Sequence, residues 1–430
     1  MTTKQKLTSG VRKMLPANTV SIIEDTYRRS RVKIVSARHG NPSKRMRVIA
    51  VTGTNGKTTT INYINSILKH AGYKTAMFST AVIEINGNAK INDLNATVAT
   101  TDQMQKFFKQ AKKAKVDFVV LEVTSHALHQ HKLSTVPIEM AIMTNLTQDH
   151  LDYHKTMDNY AAAKAILFKK SPRYVVLNMD DEWFDYFNKY NAGEQKITYG
   201  KGTKKNQPDA LIKDIKSYSD GSVANISIDH QVKIKLSTHM PGEYNVYNAT
   251  AAAAATYLLG LSTKDIVGGI KTLEVIPGRF ETIKINKPFD VVVDYAHTPD
   301  ALEKLLQTAK KISKSRVILV FGATGDRDKT KRPIMGSIAA KYADRIFLTD
   351  EESYNENPAK IRKMIMDGIK KSRATGKVTE IPDREEAIKR AIKIAKKGDI
   401  VLVTGMGHEK FRIIEGKKVP WSDAEVVLNA

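Results

Sequence analysis

The chain of 430 residues carries 69 Lys and Arg against 45 Asp and Glu, a formal charge of +24, with 41% hydrophobic and 27% charged residues. Those proportions exclude a disordered or tail-dominated chain, and the absence of cysteine excludes disulfides, thiolate metal sites and thiol catalysis. The length leaves room for about three domains.

The lysines are scattered (KKAKVD, KKSPR, KGTKK, KKISKSR, KIAKKG) and seldom run beside aromatics, so they read as solvated helix faces and loop ends. A nucleic-acid partner is therefore not expected. The opening stretch MTTKQKLTSGVRKMLPANTVSII has no apolar core of signal-peptide length, and no segment approaches the roughly 18 to 20 apolar residues that span a bilayer. The expectation is a cytoplasmic chain without membrane insertion.

From Arg47 onward, short β-branched runs alternate with longer helical patterns: MRVIAVTG then KTTTINYINSILKHAG, then DFVVLEV, EMAIMTNL and YVVLNMD. That alternation predicts βα units on a parallel sheet buried on both faces. Between Lys196 and Met240 the pattern weakens, and KITYGKG, ALIKDIKSYS and VKIKLST predict a small antiparallel patch. A helix is expected over Asn248–Leu259, and the Pro-Gly pair of IPGRFE predicts an interdomain hinge. FDVVVDYAH, SRVILVFGATG, DRIFLTD and DIVLVTGMG, each followed by a helical pattern, predict a second, Rossmann-like sheet. The fold class expected is α/β: a short N-terminal segment (1–46), a central P-loop-type parallel-sheet ATPase domain (47–277) and a C-terminal Rossmann-like domain (278–430).

Three segments carry chemistry in their own right. AVTGTNGKTTT places a Gly-rich turn between strand and helix, where backbone N–H groups and the positive helix end meet phosphate, with Lys57 as point charge and Thr58 available to Mg²⁺. Two residues separate Gly53 from Gly56, where the common P-loop has four. Glu122 ends a strand, where open α/β sheets put ligand groups, although alone it reads as an ordinary strand-end acid. Asp149, His150, Asp152 and His154 share a loop after another strand and, facing a phosphate loop, suit Mg²⁺. Lys164, in YAAAKAILF, reads by periodicity as a surface lysine.

GTNGKTTT, EVTSHALHQ, TNLTQDHLDYHKTMDNYAAAKAILF, GEYNVYNATAA, PGRFE, VDYAHTPDAL, GDRDKTKRPIMG and GMGHE, in this order, resemble the Mur ligases, especially those adding the third peptide residue of peptidoglycan. The resemblance runs from about Val48 to the C-terminus, and GTNGKT is the family's own loop spacing. It implies that the γ-phosphate of ATP passes to a peptide carboxylate and that an amino acid's amine attacks the acyl phosphate. It implies a nucleotide set of Gly53, Thr54, Asn55, Gly56, Lys57, Thr58 and Thr59, with Asn248 at the adenine and Arg279, Asp294 and His297 closing from the second domain. Thr58, Glu122, His150 and Lys164 would serve Mg²⁺, Lys164 as a carbamate formed with CO₂. Lys57, Glu122, His150 and Lys164 are the implied catalytic residues.

Thr100, Thr101, Thr124, Ser125, Gln130 and Lys132 match positions that contact the UDP-muramoyl-dipeptide, Lys132 standing where Arg is common. Two departures follow. Only some forty-five residues precede Val48, less than a domain of the kind that holds uridine diphosphate. Enzymes adding diaminopimelate show Asp-Asn-Pro-Arg where this chain reads Glu351-Glu352-Ser353-Tyr354, and tyrosine supplies no cationic fork. With Gly405 and Glu409 of GMGHE beside Glu351 and Glu352, and Arg327 on the α-carboxylate, the expected amino acid is basic, most simply lysine or ornithine. The chain is expected to be a monomer. The competing readings are a relative acting on another acceptor (a pseudomurein peptide, folylpolyglutamate or cyanophycin), a nucleic-acid-associated ATPase, and a degenerate ligase acting as a scaffold.

Overall fold

The computed structural model describes residues 17–92 and 99–430, so the first sixteen residues of the N-terminal segment lie outside the described residues. Helix α1 (Ala17–Arg38) is the first element. It leans on the next domain: Val32 and Ser36 are buried, the Ser36 hydroxyl is within 3.4 Å of Gln105, and His39 meets Asp102 at 2.9 Å.

One eleven-stranded sheet runs in the order β11-β10-β9-β8-β7-β6-β1-β5-β2-β3-β4, with β3 (Val82–Ile85) and β4 (Asn88–Ile91) antiparallel at one edge. Its middle consists of β1 (Arg47–Thr52), β2 (Thr75–Phe78), β5 (Phe118–Glu122), β6 (Met140–Met143), β7 (Tyr174–Asn178) and β8 (Gln195–Gly200), all parallel. These strands are apolar on both faces because both are covered. Helix α2 (Lys57–His70) and the Ala-rich α3 (Glu243–Leu258) pack on one side, while Met104, Phe107 and Phe108 pack on the other.

The antiparallel patch expected after Lys196 is not a separate unit. Strand β9 (Ala210–Tyr218) adds parallel to β8, and β10 (Gly221–Ile228) and β11 (Val232–Thr238) extend the same sheet antiparallel. Their burial alternates because one face meets solvent. Helix α3 also begins earlier than the sequence pattern indicates, at Glu243.

The second sheet has the order β12-β13-β17-β14-β15-β16. Strands β13 (Asp290–Asp294), β14 (Val317–Phe321), β15 (Arg345–Leu348), β16 (Val378–Glu380) and β17 (Ile400–Thr404) are parallel, and the unanticipated β12 (Glu281–Ile283) closes one edge antiparallel. At the junction, Ile276 and Arg279 form an isolated bridge. Gly278, at φ 66°, passes so close to the second sheet that an added Cβ would lie 2.3 Å from His408 N. No helix among the described residues is long and apolar enough to cross a membrane.

Candidate active site

Strand β1 lies between β5 and β6, so the chain leaves it toward both sides of the sheet, and the C-terminal strand ends form a crevice there. The turn after β1 is Gly53–Gly56. Gly56 caps α2 with φ 83°, a conformation that favours glycine, and an added Cβ would lie 2.2 Å from Asn248 Oδ1. The turn is pinned by Asn55 N–H donating to Asn145 Oδ1 (2.9 Å) and by Thr144 Oγ1 donating to Asn55 O (2.7 Å). Lys57 folds back and donates to Thr54 O at 2.8 Å.

A cavity of 490 Å³ opens over this turn. Thr54, Asn55, Gly56, Lys57, Thr58, Thr59, Glu122, Thr124, His150 and Asn248 line it from the first sheet, and Arg279, Asp294 and His297 from the second. Glu122, at the end of β5, is nearly enclosed, and its Oε2 accepts from the Thr58 hydroxyl (2.9 Å) and the Thr80 N–H (2.9 Å). Arg279 donates to the same Thr58 hydroxyl at 3.0 Å and lies over the Tyr295 ring at 4.5 Å. Asp294 accepts the N–H groups of Phe280 (2.6 Å) and Ala296 (2.8 Å), which holds the hinge exit rigidly.

Asp149 sits where the two sheets meet. Burial alone would raise its carboxyl, but His150, Lys331 and His297 together hold it well below the usual carboxylate range. Burial pushes His150 down to about 3 and His297 to about 4. Both imidazoles are therefore neutral near pH 7, and Lys331, 3.6 Å from Asp149 Oδ1, is the standing cation.

Lys164 departs most from the sequence reading. It is 1% exposed, not a surface residue; its ammonium donates to Gly53 O at 2.7 Å and sits 4.5 Å from the Tyr160 ring centroid. Burial first, then the neighbouring Lys57, lower its pKa well below that of an ordinary lysine. The Thr58–Glu122 pair fits Mg²⁺, which takes one or two protein oxygens and completes its shell with phosphate and water. No group of three or more His, Asp or Glu able to hold a metal occurs among the described residues.

Of the residues expected to meet the acceptor, Thr124 lines the cavity. Thr100 caps the helix Thr101–Lys113 in a capping box with Gln103, and Thr124 caps Ser125–His129, with Gln130 at its end. Lys132 Nζ reaches Ala99 O at 3.3 Å, joining the two segments. Ser125, buried, faces His154 Nε2 at 2.9 Å.

The amino-acid set forms its own cluster on the second sheet, outside the cavity. Arg327 stacks 5.0 Å from the Tyr354 ring centroid. Glu352 Oε1 accepts the Ile413 N–H at 3.2 Å, and Glu351, 3% exposed, packs against Gly405 with its Oε2 unpartnered. Burial raises Glu351 to about 7, and burial with the neighbouring Glu352 raises Glu409 to about 7. Sequence reasoning missed Lys331, Gln148 and Asp300 as participants. Asp300 accepts from Asn55 Nδ2 at 2.7 Å across the domain boundary, a pairing that no local motif announces.

Residues 51–256 match the Mur ligase middle domain and residues 278–407 the Mur ligase glutamate ligase domain. The UDP-N-acetylmuramoyl-L-alanyl-D-glutamate–2,6-diaminopimelate ligase 1 of Clostridium acetobutylicum is 40% identical over 97% of this chain and 84% of its own length. The corresponding ligase of Aquifex aeolicus is 42% identical over 95% of this chain and 82% of its own. A solved structure of a ligase of that name superposes with a TM-score of 0.64 at 32% identity, covering 95% of this chain and 82% of its own. The chain belongs to the Mur ligase family.

Proposed function

We propose that this protein is an ATP-dependent ligase that joins the amine of a free amino acid to the terminal carboxyl of UDP-N-acetylmuramoyl-L-Ala-D-Glu. The observation that carries the reading is the Thr58–Glu122 pair, which ties the first turn of α2 to the end of β5 and is met from the second domain by Arg279 over one shared cavity.

The Gly53–Gly56 turn and the start of α2 offer N–H groups to the β and γ phosphates, and Lys57 adds charge. Thr59 supports the turn, and Asn248 meets the adenine. Thr58, Glu122, His150 and a carbamylated Lys164 would hold Mg²⁺, which when bound neutralises phosphate charge. A neutral amine is the form that adds CO₂, and burial lowers the pKa of Lys164 toward that form, so its environment suits the modification.

Thr100, Thr101, Thr124, Ser125, Gln130 and Lys132 orient the acceptor so that a carboxylate oxygen attacks the γ-phosphorus and ADP leaves. The amine nitrogen then attacks the acyl carbon, the C–O bond to phosphate breaks, and the amine gives up a proton. Positioning and charge neutralisation carry both steps.

Glu351, Glu352 and Glu409 suit an ammonium at the far end of the incoming amino acid, with Arg327 on its α-carboxylate and Gly405 shaping the pocket. L-Lysine or ornithine is the simplest fit; diaminopimelate, for which the relatives are named, also carries a distal ammonium. The protein acts as a cytoplasmic monomer. The test supplies ATP and Mg²⁺ with the muramoyl dipeptide and each amino acid in turn, and measures phosphate. Release requiring both co-substrates supports the ligase; equal ATP cleavage with neither sinks it, and release with diaminopimelate but not lysine sinks the pocket assignment.

A further inference from the structure

Two loops from different domains interlock beside the site. Gln148 Nε2 donates to Asp328 Oδ2 (3.1 Å) and to Thr330 Oγ1 (2.8 Å). The Thr330 hydroxyl donates in turn to Asp328 Oδ1 at 2.6 Å, and Lys331 Nζ lies 3.6 Å from Asp149 Oδ1. Asp328, Lys331 and Asp149 are all buried. Gln148, Asp328, Thr330 and Lys331 are absent from the lining of the nucleotide cavity.

Sequence adjacency gives this contact its meaning. Gln148 and Asp149 immediately precede His150, which lines the nucleotide cavity, and Asp328 immediately follows Arg327, which stacks on Tyr354 at the proposed amino-acid pocket. A rigid link between the loops fixes the distance from amine to acyl carbon without touching either reactant. Arg279 and the start of α2, which line the nucleotide cavity, are tied to each other apart from this link, through the Arg279–Thr58 hydrogen bond.

We infer that Gln148 and Lys331 are positioning residues for the amine-transfer step, clasping the loop that carries the amino acid to the loop beside the acyl phosphate. The inference rests on the ligase reading. It places their effect after phosphoryl transfer: the acyl phosphate forms, but the amine arrives out of line.

Hydroxylamine separates the steps, because it is small enough to attack the acyl phosphate without the amino-acid pocket, giving a hydroxamate and free phosphate. In the full-length protein, Q148A and K331Q should keep hydroxamate formation and Mg-ADP binding within about threefold of the parent while amide formation falls about tenfold to a hundredfold. K331R, which keeps the charge, should recover most of the loss. A parallel fall of amide and hydroxamate, or an unchanged ratio, overturns the clasp. A parent protein that makes neither product overturns the ligase reading beneath it.

Discussion

The Thr58 hydroxyl donates to Glu122 Oε2 at 2.9 Å, joining the first turn of the helix after β1 to the end of β5. The same oxygen takes the Thr80 N–H, so Glu122 is held in one orientation before any ligand arrives. Glu122→Gln keeps the shape and removes the charge. Phosphate release dependent on the acceptor should fall by about 10²–10³-fold, and a variant within twofold of the parent would show that the carboxylate is not needed.

Lys164 should make activity depend on dissolved CO₂. In carefully degassed buffer the specific activity should drop, bicarbonate should restore it, and ¹³C-labelled bicarbonate should give a carbamate NMR signal absent from Lys164→Ala. A labelled parent protein without that signal would leave Lys164 as a plain amine on Gly53 O.

The acidic pocket sets a pH dependence. The Glu351 carboxyl titrates near 4.5 when unfolded and about 7 when folded, burial being the chief cause. Between those values the folded chain holds a proton that the unfolded chain has released, so stability falls as pH rises through that window. Glu409 behaves alike. The melting temperature of the free protein should decline across the window and Glu351→Gln should flatten the slope. The KM for an amino acid with a distal ammonium should fall between about pH 6 and about pH 8, as the carboxyls ionise. A KM that rises instead would remove the ammonium from this pocket.

Arg384 and Asp423 form a two-pronged pair at 2.8 and 2.7 Å, both without solvent exposure. Arg384→Met leaves Asp423 buried with Trp421 Nε1–H as its remaining side-chain donor among the described residues. The variant should lose about 3–5 kcal/mol, measured as a lower denaturant midpoint with an unchanged slope.

The sequence discloses what is local. GTNGKT names its turn because glycine and lysine at that spacing have one good use, and the parallel sheet is legible because its strands are apolar throughout. Periodicity alone makes Lys164 a surface lysine because its helix is so rich in alanine that no face stands out, and burial is set by what docks on it, here Tyr160 and the Gly53 turn. Strands β9 to β11 alternate in burial as an isolated antiparallel patch would, and nothing in that alternation says that β9 joins β8. Gln148 with Asp328 and Asn55 with Asp300 depend on how two separately folded sheets meet, and neither partner carries a motif for the other.

Tyr354 adopts φ 51°, a left-handed conformation that non-glycine residues seldom hold, and its ring lies beneath the Arg327 guanidinium. An arginine at position 354 would set two like charges face to face on a left-handed backbone, so what residue 354 can be is coupled to the guanidinium that lies over it.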